Sequence, residues 1–483
     1  MTITPSSSEE RLSPFTATVW LAQQVSATFD GTTVTAAISS SGAWEVRFPV
    51  HDAGGPYVLD VSSGADHLHL QDLMVGDVWL ASGQSNMHFT MRPFAPWTEG
   101  VLDYEREIAA ANNPNVRFFT VPIEASFPEK TEEKGYWQVA SPETACNFSA
   151  VAYYFAQKVQ QQTGVPIGIL SAAVGSTSVN SWIAPSRSDP AKLQHDEAVR
   201  HQHVAGMATY EASLPAYYAA AREALSSCTG APVAPHHDPF PNFIFETAGA
   251  YNAMIAPLRS FPIKGVIWYQ GEADARYSET YADKFRNLVE SWRANWHNPD
   301  LPFYFVQLAN RDFRAAEIMH HDFREGNFSL LRYQQFNDLS ISHTGLAVAT
   351  DVGDPGLIHP RNKKPVGERL ALQALRKTYG LPVIADGPIF QSITVDGDKL
   401  VVHFATNGSP LVNRTGSSEP AGFEVAGSDG YFVPALAKLQ GDTVVLSSPA
   451  VPQPKHARYA WGDDPRLSIY NEAGLPAPSF QTP

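Results

Sequence analysis

With 483 residues the chain suffices for two or three domains, and a 43% hydrophobic, 11% aromatic composition with 37 prolines and 33 glycines predicts a sizeable core and many turns. A formal net charge of −15, with no basic run along the chain, argues against nucleic acid and anionic membranes as partners. Two cysteines, Cys146 and Cys228, exclude a disulfide framework and any CxxC metal or redox motif, so two unpaired thiols are expected.

The opening Met1-Thr2-Ile3-Thr4-Pro5 has neither the cationic nor the apolar stretch of a signal peptide, and no apolar run approaches a membrane span. The expectation is a soluble cytoplasmic protein, or a secreted or periplasmic one if a leader was trimmed. Residues 1–74 read as a small β-sandwich. Residues 15–20, 32–38, 43–48 and 57–61 alternate and are rich in β-branched side chains, with Asp30-Gly31, Ser41-Gly42 and Gly54-Gly55-Pro56 as turn signals.

Near Leu73 the pattern changes. Val75-Gly76-Asp77-Val78-Trp79-Leu80-Ala81 is a short apolar run ending in Ser82-Gly83, the form of a strand buried in a parallel sheet. The same form returns at 168–173, 265–269, 303–308 and 346–350, with helical patterns at 150–159 and 282–292. This alternation predicts a doubly wound α/β domain over 75–385, with a helical insertion at about 187–245 that includes Pro232, Pro235, Pro239 and Pro241. From Ile389 β patterning resumes. Residues 392–395 and 400–404 flank the turn Asp396-Gly397-Asp398, 443–447 is a further strand, and 386–483 is predicted as a second β domain.

Ligands of open α/β sheets bind beyond the carboxyl ends of the strands, which makes the residue after each buried strand a candidate. Those residues are Ser85, Gly175, Gln270 and the stretch from Asp351 to His359. A serine hydroxyl becomes a nucleophile when a histidine takes its proton, and His359 is the candidate base. An oxyanion needs donors; the backbone N–H groups of Ser85 and Gly175 and the side-chain amide of Gln270 are candidates. A carboxylate that orients the imidazole is offered by Asp354 or Asp351, and a backbone carbonyl is the third option. Each residue also has an ordinary reading. Ser85 suits a turn or helix N-cap, Gly175 a strand-to-helix turn, Gln270 a structural amide, and either aspartate a loop cap.

The sequence resembles the sialate O-acetylesterase family of carbohydrate esterases, in the SGNH-hydrolase superfamily. The resemblance rests on Gly83-Gln84-Ser85-Asn86-Met87, Tyr251-Asn252-Ala253-Met254, Trp268-Tyr269-Gln270-Gly271-Glu272, and Ile358-His359-Pro360 followed by Val366-Gly367-Glu368-Arg369. It implies an SGNH-type sheet flanked by N-terminal and C-terminal β domains, Ser85 as nucleophile, His359 as base, and Gly175 and Gln270 as oxyanion donors. Many superfamily members carry an aspartate three residues before the histidine, where this chain has Gly356, so Asp354 is taken as the acid by proximity. Asp274 stands where the family's third block commonly has asparagine.

The implied reaction is removal of acetyl groups from sugars, either sialic acid or plant-derived oligosaccharides, through an acetyl-enzyme and without cofactor or metal. A sialate site calls for a cation, for which Arg276 and Arg361 are candidates. A non-catalytic carbohydrate-binding protein of the same fold is the rival, disfavoured by the joint presence of Ser85, Gly175, Gln270 and His359. Histidine clusters at His67/His69, His201/His203, His236-His237-Asp238 and His320-His321-Asp322 lack the spacing of a zinc helix and read as loop or surface residues.

Overall fold

A computed structural model describes residues 2–3, 14–18, 24–40, 42–96, 98–227, 245–312 and 327–482. Cys228 and the clusters at His236–Asp238 and His320–Asp322 lie outside the described residues.

Two small sheets precede the central one. A five-stranded sheet contains Gln24–Phe29, Thr32–Ala37, Gly54–Ser63 and Asp66–Val75, and Ala43–Arg47 pairs with Pro14–Thr18. Val25, Ala27, Phe29, Trp44, Val46, Leu59 and Val61 form their shared core. At the first hairpin Asp30 and Gly31 have φ 43° and 76°, the left-handed pair that a two-residue turn requires. The run read from Val75 divides at Gly76. Val75 ends the first sheet, Asp77 starts the next, and a Cβ on Gly76 would lie 2.1 Å from the Pro166 carbonyl oxygen.

The central sheet has seven strands: β1 (Asp77–Gly83), β2 (Asn113–Thr120), β3 (Trp137–Ala140), β4 (Ile167–Ala173), β5 (Gly265–Tyr269), β6 (Phe303–Gln307) and β7 (Thr344–Val348). Their order is β3-β2-β4-β1-β5-β6-β7, all parallel except β3. Strands β1, β4, β5, β6 and β7 are buried on every residue, as expected of a sheet covered on both faces. On one face Trp79 packs against Phe155 and Tyr304, with ring centroids 5.0 and 5.8 Å away. On the other, Trp268 lies between Trp182 and Trp292, at 6.2 and 6.1 Å.

The described helices include α1 (Ser85–His88), α2 (Ala150–Thr163), α3 (Pro190–Ser227), α4 (Tyr281–Asn295), α5 (Phe328–Asn337) and α6 (Lys364–Lys377). Helix α2 has Ser149 as N-cap, accepting from the Ala152 N–H, and ends at Gly164 with φ 74°. Gly367 lets α6 approach α2, since a Cβ there would lie 2.5 Å from the Val151 carbonyl oxygen. Helix α3 is the described part of the predicted insertion.

After α6 come three antiparallel sheets. Ile389–Asp396 and Lys399–Ala405 form the expected hairpin, with Gly397 at φ 62°, and Leu400, Val402, Phe423, Val444, Tyr459 and Phe480 build the core.

Candidate active site

Strands β4, β1 and β5 end side by side: Ala173 pairs with Gly83, and Gly83 with Tyr269. Because β4 and β5 lead off to opposite sides of β1, this is a topological switch point, where open sheets form a crevice. One or two residues beyond these ends lie Gly175, Ser85 and Gln270. Gly83 has φ 139°, and the Gln84 N–H donates to the Tyr269 carbonyl at 3.0 Å, so the chain turns at once into α1. The turn leaves Ser85 half-exposed and buries Asn86 and Met87. Gly175 lies against the serine; a Cβ added to it would sit 3.6 Å from Ser85 Cβ. Among the described residues no protein acceptor takes the N–H of Ser85 or of Gly175.

Gln270 is held within the protein by its side-chain amide. It is fully buried, and its Nε2 donates to the Thr177 carbonyl at 3.1 Å and to Asp274 Oδ2 at 2.6 Å. Both amide hydrogens are engaged in this arrangement. Gln270 is a structural amide that ties the end of β5 to the 174–177 turn. Its partner Asp274 also accepts from the Val179 N–H at 2.8 Å, and Lys284 Nζ lies 3.5 Å from its other oxygen. Burial pushes the Asp274 carboxyl up, opposed chiefly by Lys284. Asp274→Ala would strand two buried donors and leave Lys284 without its counter-charge. It is expected to cost about 2–4 kcal/mol in urea unfolding, and wild-type stability would contradict this role.

The histidine must travel further. β7 is three strands from β1, roughly 14 Å at ordinary interstrand spacing. The segment after β7 crosses that distance by a series of hydrogen bonds. Ala349 N–H donates to Gln307 O at 3.0 Å, Asp312 N–H to Pro355 O at 2.9 Å, and Leu102 N–H to Arg361 O at 3.4 Å. Asn86 Nδ2 donates to Ile358 O at 3.0 Å. The residue after Ser85 is thereby bonded to the residue before His359, and His359 is half-buried.

The two aspartates of this loop differ. Asp351 forms a bidentate pair with Arg369, at 2.5 and 2.7 Å. Each of its oxygens accepts from one nitrogen of the guanidinium. Asp354 is exposed, and its Oδ1 accepts the Gly356 N–H at 2.9 Å.

Beneath Ser85 is a polar cluster that sequence reasoning missed. Asn86 Nδ2 also donates to Glu272 Oε1, and Asn86 Oδ1 accepts from Lys363 Nζ at 2.5 Å. The Lys363 ammonium lies 4.5 Å from the Phe89 ring centroid and 5.6 Å from that of Tyr269. Burial pushes the Lys363 amine down to about 7, opposed by Glu272. Burial pushes the Glu272 carboxyl up, opposed by its backbone hydrogen bond, by Asn86, and by the charges of Lys363 and Arg311. Burial also lowers the pKa of His88, three residues after Ser85 on α1.

The family model described as "Carbohydrate esterase, sialic acid-specific acetylesterase" matches residues 75–214 and 241–375. The chain belongs to this family. This carbohydrate esterase is 26% identical over 499 residues to the sialate O-acetylesterase of Rattus norvegicus, covering 92% of this chain and 85% of that protein. It is 28% identical over 501 residues to that of Mus musculus, with the same coverage. A crystal structure of a carbohydrate acetylesterase from Xanthomonas citri superposes with a TM-score of 0.81 at 32% identity, covering 100% of this chain and 97% of that one. The chain is thus a carboxylic ester hydrolase, and its reaction is the O-deacetylation of a carbohydrate.

Among the described residues no group of three or more His, Cys, Asp or Glu side chains is arranged to hold a metal ion, and no helix is long and apolar enough to cross a membrane. Cys146 carries a free thiol.

Proposed function

We propose that this carbohydrate esterase works by acyl transfer through Ser85, with His359 as general base. His359 takes the Ser85 proton as Oγ attacks the acetyl carbonyl, and the oxyanion collects hydrogen bonds from the N–H groups of Ser85 and Gly175. Collapse breaks the ester bond, and His359 returns the proton to the departing sugar hydroxyl. Water, deprotonated by the same histidine, then attacks the acetyl-enzyme and releases acetate. The observation that carries this reading is the Asn86-to-Ile358 hydrogen bond, which joins the immediate neighbours of Ser85 and His359. The pairing of Asp351 with Arg369 favours Asp354 as the residue that orients the imidazole.

The substrate is an acetylated mono- or oligosaccharide. Of the two cations considered for a sialate carboxylate, Arg361 donates to the carbonyls of Gly100 and Val101, at 3.1 and 3.2 Å, and pairs with Glu99. Arg276 is exposed and stacks on the exposed Tyr277, with its guanidinium carbon 5.9 Å from the ring centroid. Arg276 is the cation whose substitution we use to separate the two sugar classes. Acetate release from acetylated sialic acids and acetylated plant oligosaccharides, measured for wild type and Arg276→Gln, tests this. A sialate esterase is expected to show a raised KM in the variant for sialic acids alone. A serine-directed fluorophosphonate should label Ser85; labelling at another serine, or release from no acetylated sugar, would overturn the reading.

A further inference from the structure

Asn86, Glu272 and Lys363 form the floor of the crevice but take no part in the reaction just described. They come from three separate elements: α1, the turn after β5, and the residue that caps α6. All three are buried, with 1%, 4% and 1% of their surface exposed. Among the described residues no direct ion pair joins Lys363 to Glu272; the Asn86 amide stands between them.

This arrangement has a directional consequence. A buried ammonium and carboxylate that served only to neutralise each other would be stronger in contact, because attraction falls with separation. Placing an amide between them fixes which way the amide faces: its oxygen meets the cation and its NH2 meets the anion, each bond strengthened by charge. The second amide hydrogen is then aimed at Ile358 O, 3.0 Å away. Ile358 and Lys363 bracket His359 in the chain, and both are bonded to Asn86, the neighbour of Ser85.

We infer that Lys363 and Glu272 are positioning residues for the esterase reaction: they clamp the Asn86 amide so that the segment carrying His359 is held in register with Ser85. The inference rests on the assignment of Ser85 and His359 as nucleophile and base. Burying the cluster is costly. Desolvation acts on the ammonium and the carboxyl alike, and apolar residues of similar volume commonly serve stability as well or better. A charged clamp beneath a nucleophile is instead what holds reacting groups within a fraction of an ångström.

The decisive variant is Lys363→Met combined with Glu272→Gln. It removes the Lys363 and Glu272 charges together and roughly preserves volume, while Arg311, the other cation acting on Glu272, is left in place. The expected outcome is a folded protein with KM within about twofold of wild type. Its kcat and its rate of fluorophosphonate labelling at Ser85 both fall at least about tenfold, because alignment of base and nucleophile is lost while the sugar site is intact. Wild-type kcat and labelling rate in the folded double variant, or a rise in KM alone, would overturn the inference. Should that variant fail to fold, Asn86→Ser carries the same expectation and the same refutation, since it shortens the clamp without removing either charge. Failure of the underlying assignment looks different: Ser85 of the wild-type protein would then not be labelled.

Discussion

Ser85→Ala is expected to lower acetate release on the order of 10⁴-fold or more while leaving the thermal midpoint of unfolding close to wild type. The two halves of that expectation come from the same geometry. Ser85 is the first residue of α1, half-exposed, and its hydroxyl makes no hydrogen bond to any described residue. A helix cap or a core serine would lose a partner on truncation; Ser85 has none to lose among the described residues, so stability should change by no more than about 0.5 kcal/mol. On the mechanism proposed above, the activity loss follows because the acetyl-enzyme cannot form, and the activity left above background comes from the backbone N–H groups of positions 85 and 175. Acetate assays on the purified variant decide it, and undiminished activity would sink the mechanism. Asp354→Asn belongs beside it. If Asp354 orients His359, kcat should fall at least about tenfold. If it does not fall, Asp354 is not the residue that orients His359.

What the sequence disclosed, and what it hid, follows from the range of each interaction. Buried strands and their turn residues are local patterns, so β1, β4, β5, β6 and β7 could be read from short apolar runs. The strand-end rule then put Ser85, Gly175 and Gln270 in one crevice. Direction was not local. Gln270 stands at the right place, but its amide is turned away by Asp274, which folds back over four residues to capture Nε2. The substitution of aspartate in that block was visible; that it takes up a donor was not. Asp351 and Asp354 look alike within their loop, and only the return of α6 brings Arg369 against the first of them. The Asn86 cluster was the least legible part, because its contacts join residues 186 and 277 positions apart. Each of the three residues has an unremarkable local role, and a lysine just before a helix reads as solvent-exposed until the fold closes over it.

The glycines at the two strand ends should fail in opposite ways. Gly83→Ala is expected to destabilise the protein by about 3–5 kcal/mol, and activity should fall with it. Gly83 has φ 139°, a conformation hostile to any side chain, and an added Cβ would lie 2.1 Å from the Tyr269 carbonyl oxygen and 2.7 Å from its carbon. Those atoms are backbone of β5, so no rotamer change relieves the clash. The central strands must part, and the turns carrying Ser85 and Gln270 part with them. Gly175→Ala meets only Ser85 Cβ, at an ordinary 3.6 Å, and its φ is not in the left-handed region. It should fold with near wild-type stability and keep its backbone N–H. On the proposed mechanism the new methyl group takes up space beside Ser85 that the acetyl group would use, and overpacking of that kind typically costs about 1–3 kcal/mol, or roughly tenfold to a hundredfold in kcat/KM. Thermal unfolding and acetate release measured on both variants separate the roles. A Gly83→Ala protein as stable as wild type would refute the first, and a fully active Gly175→Ala protein would place the acetyl group on another side of Ser85.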